Sequence, residues 1–194
     1  MFMVGIRSDL DIDWSFPLPT HSASALLRDQ MDGDYWDRHR VRSSDRITIR
    51  AARKPDDGRK PWLTVRDALH DMPTPGIDGS AAGWLDHKLQ TGAKSYPGHT
   101  GSPIDEPSKA LKAGVHGVPG GENMIRFPDG RVRYYSVREA ARIQTFPDDY
   151  ALHGAWSEVM RQLGNAVPVR LAQTVVESVA GHIAAPISAE RSAA

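Results

Sequence analysis

The chain has 194 residues, room for one good core or parts of two small ones, and its 24 basic and 24 acidic side chains cancel to a net charge of zero. Neutrality argues against a protein that coats nucleic acid indiscriminately, though not against local positive charge on a base-reading loop. The total lack of cysteine excludes disulfides, thiolate metal sites and a cysteine nucleophile; with no apolar run near ~20 residues and no apolar signal core, a soluble, cytoplasmic protein without membrane contact is expected.

Met1-Phe-Met-Val-Gly-Ile-Arg7 is apolar without polar alternation, which predicts a strand buried on both faces. Its neighbouring strands would have to come from elsewhere. From Asp9 to Thr20, Trp14, Phe16, Pro17 and Pro19 mark an extended connector. Ser22 or Ser24 is placed to cap a helix through Leu26 and Leu27. Tyr35, Trp36 and His39 read as helix-borne, with Trp36 in the core. Ile47-Thr-Ile49 predicts a short strand and residues 53–61 a mobile loop. Thr64 to Asp71 reads as a capped helix stopped by Pro73.

The following thirty residues are glycine-rich and largely irregular, hence functional or disordered. His87 and His99 lie there without metal-ligand spacing, so satisfied or surface histidines are expected. Ala110-Leu-Lys-Ala113 predicts a strand, leading to Gly114-Val-His-Gly-Val-Pro-Gly-Gly-Glu122, which fits neither common phosphate-binding glycine pattern. Met124 to Phe127, Pro128-Asp-Gly130 and Arg131 to Tyr135 form a strong hairpin signal with Asp-Gly at the turn.

Ser136-Val-Arg-Glu139 is a capping box. It predicts a helix ending near Thr145, because Pro147 forbids continuation. Arg138 and Arg142, four apart, share one face and make it cationic. A second helical run, Trp156 to Leu163, is predicted to break at Gly164-Asn165, residues that tolerate left-handed backbone. Pro168 suits the first turn of a last helix, where Leu171, Ala172, Val175, Val176, Val179 and Ile183 make one side apolar. Amides exposed at that corner can bind a polar ligand edge. The alanine- and serine-rich tail is expected to fray.

Any one of these features fits a bland structural reading. Together, Arg-Glu-Ala-Ala-Arg-Ile-Gln-Thr-Phe-Pro-Asp-Asp-Tyr150 followed by Gln-Leu-Gly-Asn-Ala-Val-Pro168 closely resembles the last two sequence blocks of the DNA (cytosine-5) methyltransferases. The resemblance implies an incomplete α/β chain, a C-terminal fragment of an S-adenosylmethionine-dependent methyltransferase fold plus a small, irregular, β-rich target-recognition domain. Residues 1–8 would be the last strand of the catalytic domain, 9–153 the recognition domain, 154–184 helices returning to the catalytic domain, and 185–194 a frayed tail. Met1 would then lie within the interior of a longer family member.

The family reaction uses a cysteine thiolate on C6 of a flipped cytosine, a carboxylate at N3, and S-adenosylmethionine as methyl donor to C5. The blocks carrying these groups do not occur here, so no catalytic residue is assigned, no metal site is expected, and the chain alone is predicted inactive. By the resemblance, Asn165, Ala166 and Val167 line the cofactor pocket. Ala166 stands where serine is also found. Arg138, Glu139 and Arg142 would support the recognition domain.

Double-stranded DNA is the implied partner, as is a complementing subunit with the N-terminal blocks. Lys112, His116, Gly120 and Gly121 are the candidates for base reading, since Lys and His can donate to guanine edges and glycine permits close approach; a plain tight loop fits them equally. Arg131 and Arg133 suit phosphate contact. The alternatives are a catalytically dead, sequence-specific DNA-binding module, a truncated remnant, or an unrelated small α+β interaction protein.

Overall fold

The computed structural model describes residues 3–77, 83–113 and 120–192. Three of its helices begin at side-chain caps. Ser22 accepts from the Ala25 amide at 3.1 Å and opens α1 (Ala23–Asp32). Gly33, at φ +100°, makes the left-handed joint to α2 (Asp34–Arg38). Thr64 and Asp67 form a reciprocal capping box at the start of α3 (Val65–Leu69), as Ser136 and Glu139 do for α4 (Val137–Ile143). Two further helices follow, α5 (Trp156–Asn165) and α6 (Val169–Ser192).

Strands are short. β1 (His21–Ser22) pairs in parallel with β2 (Lys60–Pro61). β3 (Ser102–Pro103) lies parallel to β4 (Met124–Arg126), which pairs antiparallel with β5 (Val132–Tyr134), Ile125 opposite Arg133. The β4–β5 turn is the predicted Asp-Gly hairpin: Gly130 takes φ +85° and its amide donates to the Phe127 carbonyl at 3.0 Å.

The chain divides into two units, residues 20–168 and residues 1–19 with 169–194. In the larger unit α3, α4 and α5 close over the sheet. Val65, Ile125, Tyr135, Ala140, Met160 and Leu163 are the centre of its core. Leu26, Tyr35, Trp36 and Val41 form a smaller cluster, as expected for Trp36. A buried polar network stands beside it. The Tyr35 hydroxyl donates to Asp105 (2.9 Å), which also holds Arg66 (2.6 Å), while Gln30 donates to the Asp105 carbonyl (2.8 Å). Burial and the adjacent Asp105 carboxylate push the Tyr35 phenol well above its ordinary range. In the smaller unit Trp14 donates to Ser178 at 3.1 Å and meets Phe16 edge-on.

The structure differs from the sequence reading at several places. Lys60–Pro61, at the end of the expected mobile loop, form β2, and α6 runs through Ser192 where a frayed tail was expected from residue 185. Met3 to Arg7 carry no strand and Met3 is 87% exposed, since among the described residues no strand pairs with them. Ile47 to Ile49 carry none either; Ile49 packs instead on the Trp36 cluster. Ala110 to Ala113 are not a strand because the Asn123 side chain takes the main-chain groups of Lys112, accepting from its amide (3.2 Å) and donating to its carbonyl (3.4 Å). Neither Gly164 nor Asn165 is left-handed, and α5 runs through both.

Gly164 and Gly121 are required for closeness, not for φ. A Cβ on Gly164 would stand 2.9 Å from the Ala113 nitrogen, and one on Gly121 2.5 Å from the His99 Cα. Because backbone cannot retreat as a flexible side chain can, Gly121→Ala is expected to lower stability by about 1–3 kcal/mol, read as a shifted urea midpoint with unchanged slope.

Candidate functional site

The β4–β5 hairpin delivers the chain to Ser136, and the site is built outward from that cap. The Ser136 hydroxyl accepts from the Glu139 amide at 3.1 Å, and Glu139 Oε2 accepts from the Ser136 amide at 2.9 Å. Arg133, on β5, donates to both Glu139 oxygens at 2.6 Å; the carboxylate side chain is only 2% exposed. His87 adds a third tie: Nε2 donates to the Pro73 carbonyl (2.7 Å) and Nδ1 meets the Ser136 hydroxyl at 2.8 Å. His87 is therefore a satisfied core histidine that pins the long loop to the cap.

The face carrying Arg138 and Arg142 turns into the protein. Arg138 is fully buried and donates to the carbonyls of Leu85 (3.1 Å), Pro147 (3.0 Å) and Tyr150 (2.7 Å), with Asp86 at 3.4 Å. Its planar fork reaches acceptors on two separate loops, which a single ammonium cannot do. Arg142 lies between Asp148 and Asp71, donates to the Ala68 carbonyl at 3.2 Å, and stands 4.6 Å over the Trp84 ring. It holds both carboxyls below the usual carboxylate range, and they raise its own pKa in return.

The next links lead to the corner before α6. The Gln144 amide donates to the Leu163 carbonyl at 2.5 Å, and Gly164 packs on the backbone of residues 111–113. The corner is thus fastened both to α4 and to the segment carrying Lys112. At the corner Asn165 and Val167 are exposed and Ala166 half-buried, its amide already donating to the Gln162 carbonyl at 3.0 Å. The exposed Asn165 side-chain amide and the apolar Val167 face can form one wall of a ligand pocket, and enclosing a ligand there takes further walls.

Of the candidate base-reading residues, Lys112, Gly120 and Gly121 are among the described residues. Lys112 pairs with Glu122 at 3.0 Å. Burial would raise the Glu122 pKa, but the Lys112 ammonium, a backbone hydrogen bond and His99 together hold the carboxyl low. Gly120 and Gly121 are buried, and the Gly121 amide donates to His99 Nδ1 at 3.2 Å, the imidazole stacking on Tyr96. His116 lies outside the described residues. Arg131 is exposed beside Asp129, whereas Arg133 is committed to Glu139 and offers solvent little. His99, Asp86 and Gln144 escaped sequence reasoning as contributors. Only Gln144 carried a signal, its place within the quoted block. Among the described residues no group of three His, Asp or Glu side chains could hold a metal ion, and no helix is long and apolar enough to cross a membrane.

Mixed helices and small sheets, with a capped arginine helix braced against irregular loops, are consistent with an α/β methyltransferase-like chain. The family described as C-5 cytosine-specific DNA methylase matches residues 1–181. The chain is 26% identical to Type II methyltransferase M.BspRI of Lysinibacillus sphaericus, over 93% of this chain and 38% of that protein. With Type II methyltransferase M.BsuRI of Bacillus subtilis it shares 27% identity, over 91% of this chain and 36% of the relative. A shorter match, 43% identical over 39% of this chain, is to Type II methyltransferase M.Eco47II of Escherichia coli, 17% of whose length it covers. The chain belongs to the C-5 cytosine-specific DNA methylase family. It spans well under half the length of these relatives.

Two outcomes follow from the arginine geometry. Arg138→Lys is expected to cost about 2–4 kcal/mol, nearly as much as Arg138→Ala, because buried carbonyls lose their donors either way; urea titrations of both variants test this. In the unfolded chain Asp71 and Asp148 titrate near pH ~4. Arg142 holds them lower in the fold, so their stabilisation is complete above that pH and lost as pH falls through the depressed values. Arg142→Gln should therefore flatten the acid limb of a plot of urea midpoint against pH.

Proposed function

We propose that this chain is the C-terminal portion of a DNA (cytosine-5) methyltransferase of the restriction-modification type, comprising the target-recognition region and the closing blocks. In this reading S-adenosylmethionine supplies the methyl group and C5 of cytosine in a specific duplex sequence receives it. The observation that carries the reading is a conjunction: the family match extends over residues 1–181, yet the chain holds no cysteine to attack the base. In this reading a complementing N-terminal part, on the same or another polypeptide, supplies the missing blocks, and these residues alone are inactive.

The unit formed by residues 1–19 and 169–194 supports that reading. Its apolar helix side is only partly covered: Val175 is buried, while Leu171 is 47% and Val176 64% exposed, and Leu18 on the connector is 85% exposed. Apolar surface of this kind fits a contact with further protein, such as the rest of a catalytic domain. The roles divide by position. Asn165, Ala166 and Val167 contribute one wall of the cofactor pocket; Lys112 and His116 face the bases, with the buried Gly120 and Gly121 shaping the loop rather than touching DNA; Arg131 touches phosphate. Arg138, Glu139 and Arg142 hold these elements in register without touching substrate. Arg133 is better placed with this supporting group than with the phosphate contacts, because Glu139 takes both arms of its guanidinium.

The test is methyl transfer from labelled S-adenosylmethionine to unmethylated duplex DNA. No incorporation is expected with the chain alone, and incorporation with a protein supplying the N-terminal blocks. Silence in both, with retained sequence-specific DNA binding, would identify a recognition module without catalysis; silence without binding, a remnant. Activity of the chain alone would overturn the reading.

A further inference from the structure

The larger unit contains a cleft of about 560 Å³ between the segment following α2 and the β4–β5 turn. Its lining is unlike the neutral chain as a whole. Arg40, Arg42, Arg46, Arg66 and Arg131 contribute to it, against two aspartates, Asp45 and Asp129. The excess of arginine over aspartate gives the cleft a net positive field.

The five arginines are not equivalent. Arg66 is held by buried Asp105, and Arg46 is anchored to Asp37 and to the Val41 carbonyl; these two have structural employment. The Arg42 side chain is 82% exposed and, among the described residues, pairs with Asp45, its near neighbour in sequence. Arg40 is exposed, and its guanidinium has no partner among the described residues. Its backbone stands at φ +52°, a left-handed conformation that glycine or asparagine would adopt with less strain. On the opposite wall Arg131 stands 5.7 Å over the Phe127 ring. Guanidinium groups beside an aromatic face, around an open cationic groove, make a surface suited to a polyanion with planar bases.

We propose that this cleft is a second DNA-backbone site, in which Arg40 and Arg42 contact phosphates beside those reached by Arg131. The proposal rests on the DNA-directed reading above and extends it to a segment that the closing sequence blocks do not include. Arg131 is common to both surfaces, so one duplex running past the β4–β5 turn would meet both. Contacts of this kind fix the duplex in register and carry no base preference.

Each phosphate neutralised steepens the plot of log K against log salt by about 0.9. The full chain is titrated with a fluorescein-labelled duplex at several salt concentrations, and anisotropy is read. The double variant Arg40→Gln/Arg42→Gln should keep the thermal midpoint and the order of preference among sequences, but lower the slope by about 1.8. A matched variant, Lys54→Gln/Arg59→Gln, removes equal charge from the exposed 53–59 loop and should leave the slope nearly unchanged. Equal loss of slope in both variants would show a diffuse charge effect and overturn the site. An unaltered slope in the first variant would overturn the site while leaving the DNA-directed reading standing. No DNA binding by the unaltered chain would overturn the site, while methyl transfer with the N-terminal blocks supplied decides the DNA-directed reading separately.

Discussion

Glu139 serves two neighbours with one carboxylate: it accepts from the Ser136 amide, which completes the cap of α4, and it holds both arms of Arg133 on β5. Helix and hairpin are thereby joined at the point where one becomes the other. A buried carboxylate is tolerated only when charge and hydrogen bonds are both supplied, and here each oxygen has a donor. Removing any member would strand the others, so cap, strand and helix are mutually dependent. From this junction the supports extend outward, through His87 to the long loop and through Gln144 to the corner before α6.

The arginines of α4 show how a largely irregular region is held without regular hydrogen-bond ladders. Loops carry main-chain carbonyls that must be satisfied once they are covered. Arg138 supplies three such carbonyls, on residues 85, 147 and 150, and Arg142 ties Asp71 and Asp148 from either side. Side chains thus do the joining that strands do in a larger sheet. The arrangement suits a protein whose binding surfaces are loops, because loop conformation is fixed from behind while the outer surface stays free to meet a ligand.

Charge is partitioned in the same spirit. Many of the exposed arginines are paired locally, as Arg131 with Asp129 and Arg42 with Asp45. Such surface pairs contribute little to stability, so they can be exchanged for phosphate at small cost. Those of α4 and β5 are buried or half-buried among carboxylates and carbonyls and have their guanidinium groups already occupied. A neutral chain can therefore present a cationic cleft on one side and a rigid interior on the other.

Sequence alone determined the features that depend on neighbours in the chain. The caps at Ser22, Thr64 and Ser136, the Asp-Gly hairpin and the stop before Pro147 each arise from interactions within a few residues, so their signals are local. The family, too, was legible, because its closing blocks are contiguous. What pairs with what was not. Arg133 read as a free cation until the fold brought Glu139 to it, and Ala110 to Ala113 read as a strand until Asn123 took the main-chain bonds of Lys112. Gly121 and Gly164 read as turn-formers or loop residues, yet both are required by backbone approaching from His99 and from residues 111–113. Burial and partner choice are properties of separations across the chain, and only the tertiary structure decides which distant backbone or carboxylate arrives.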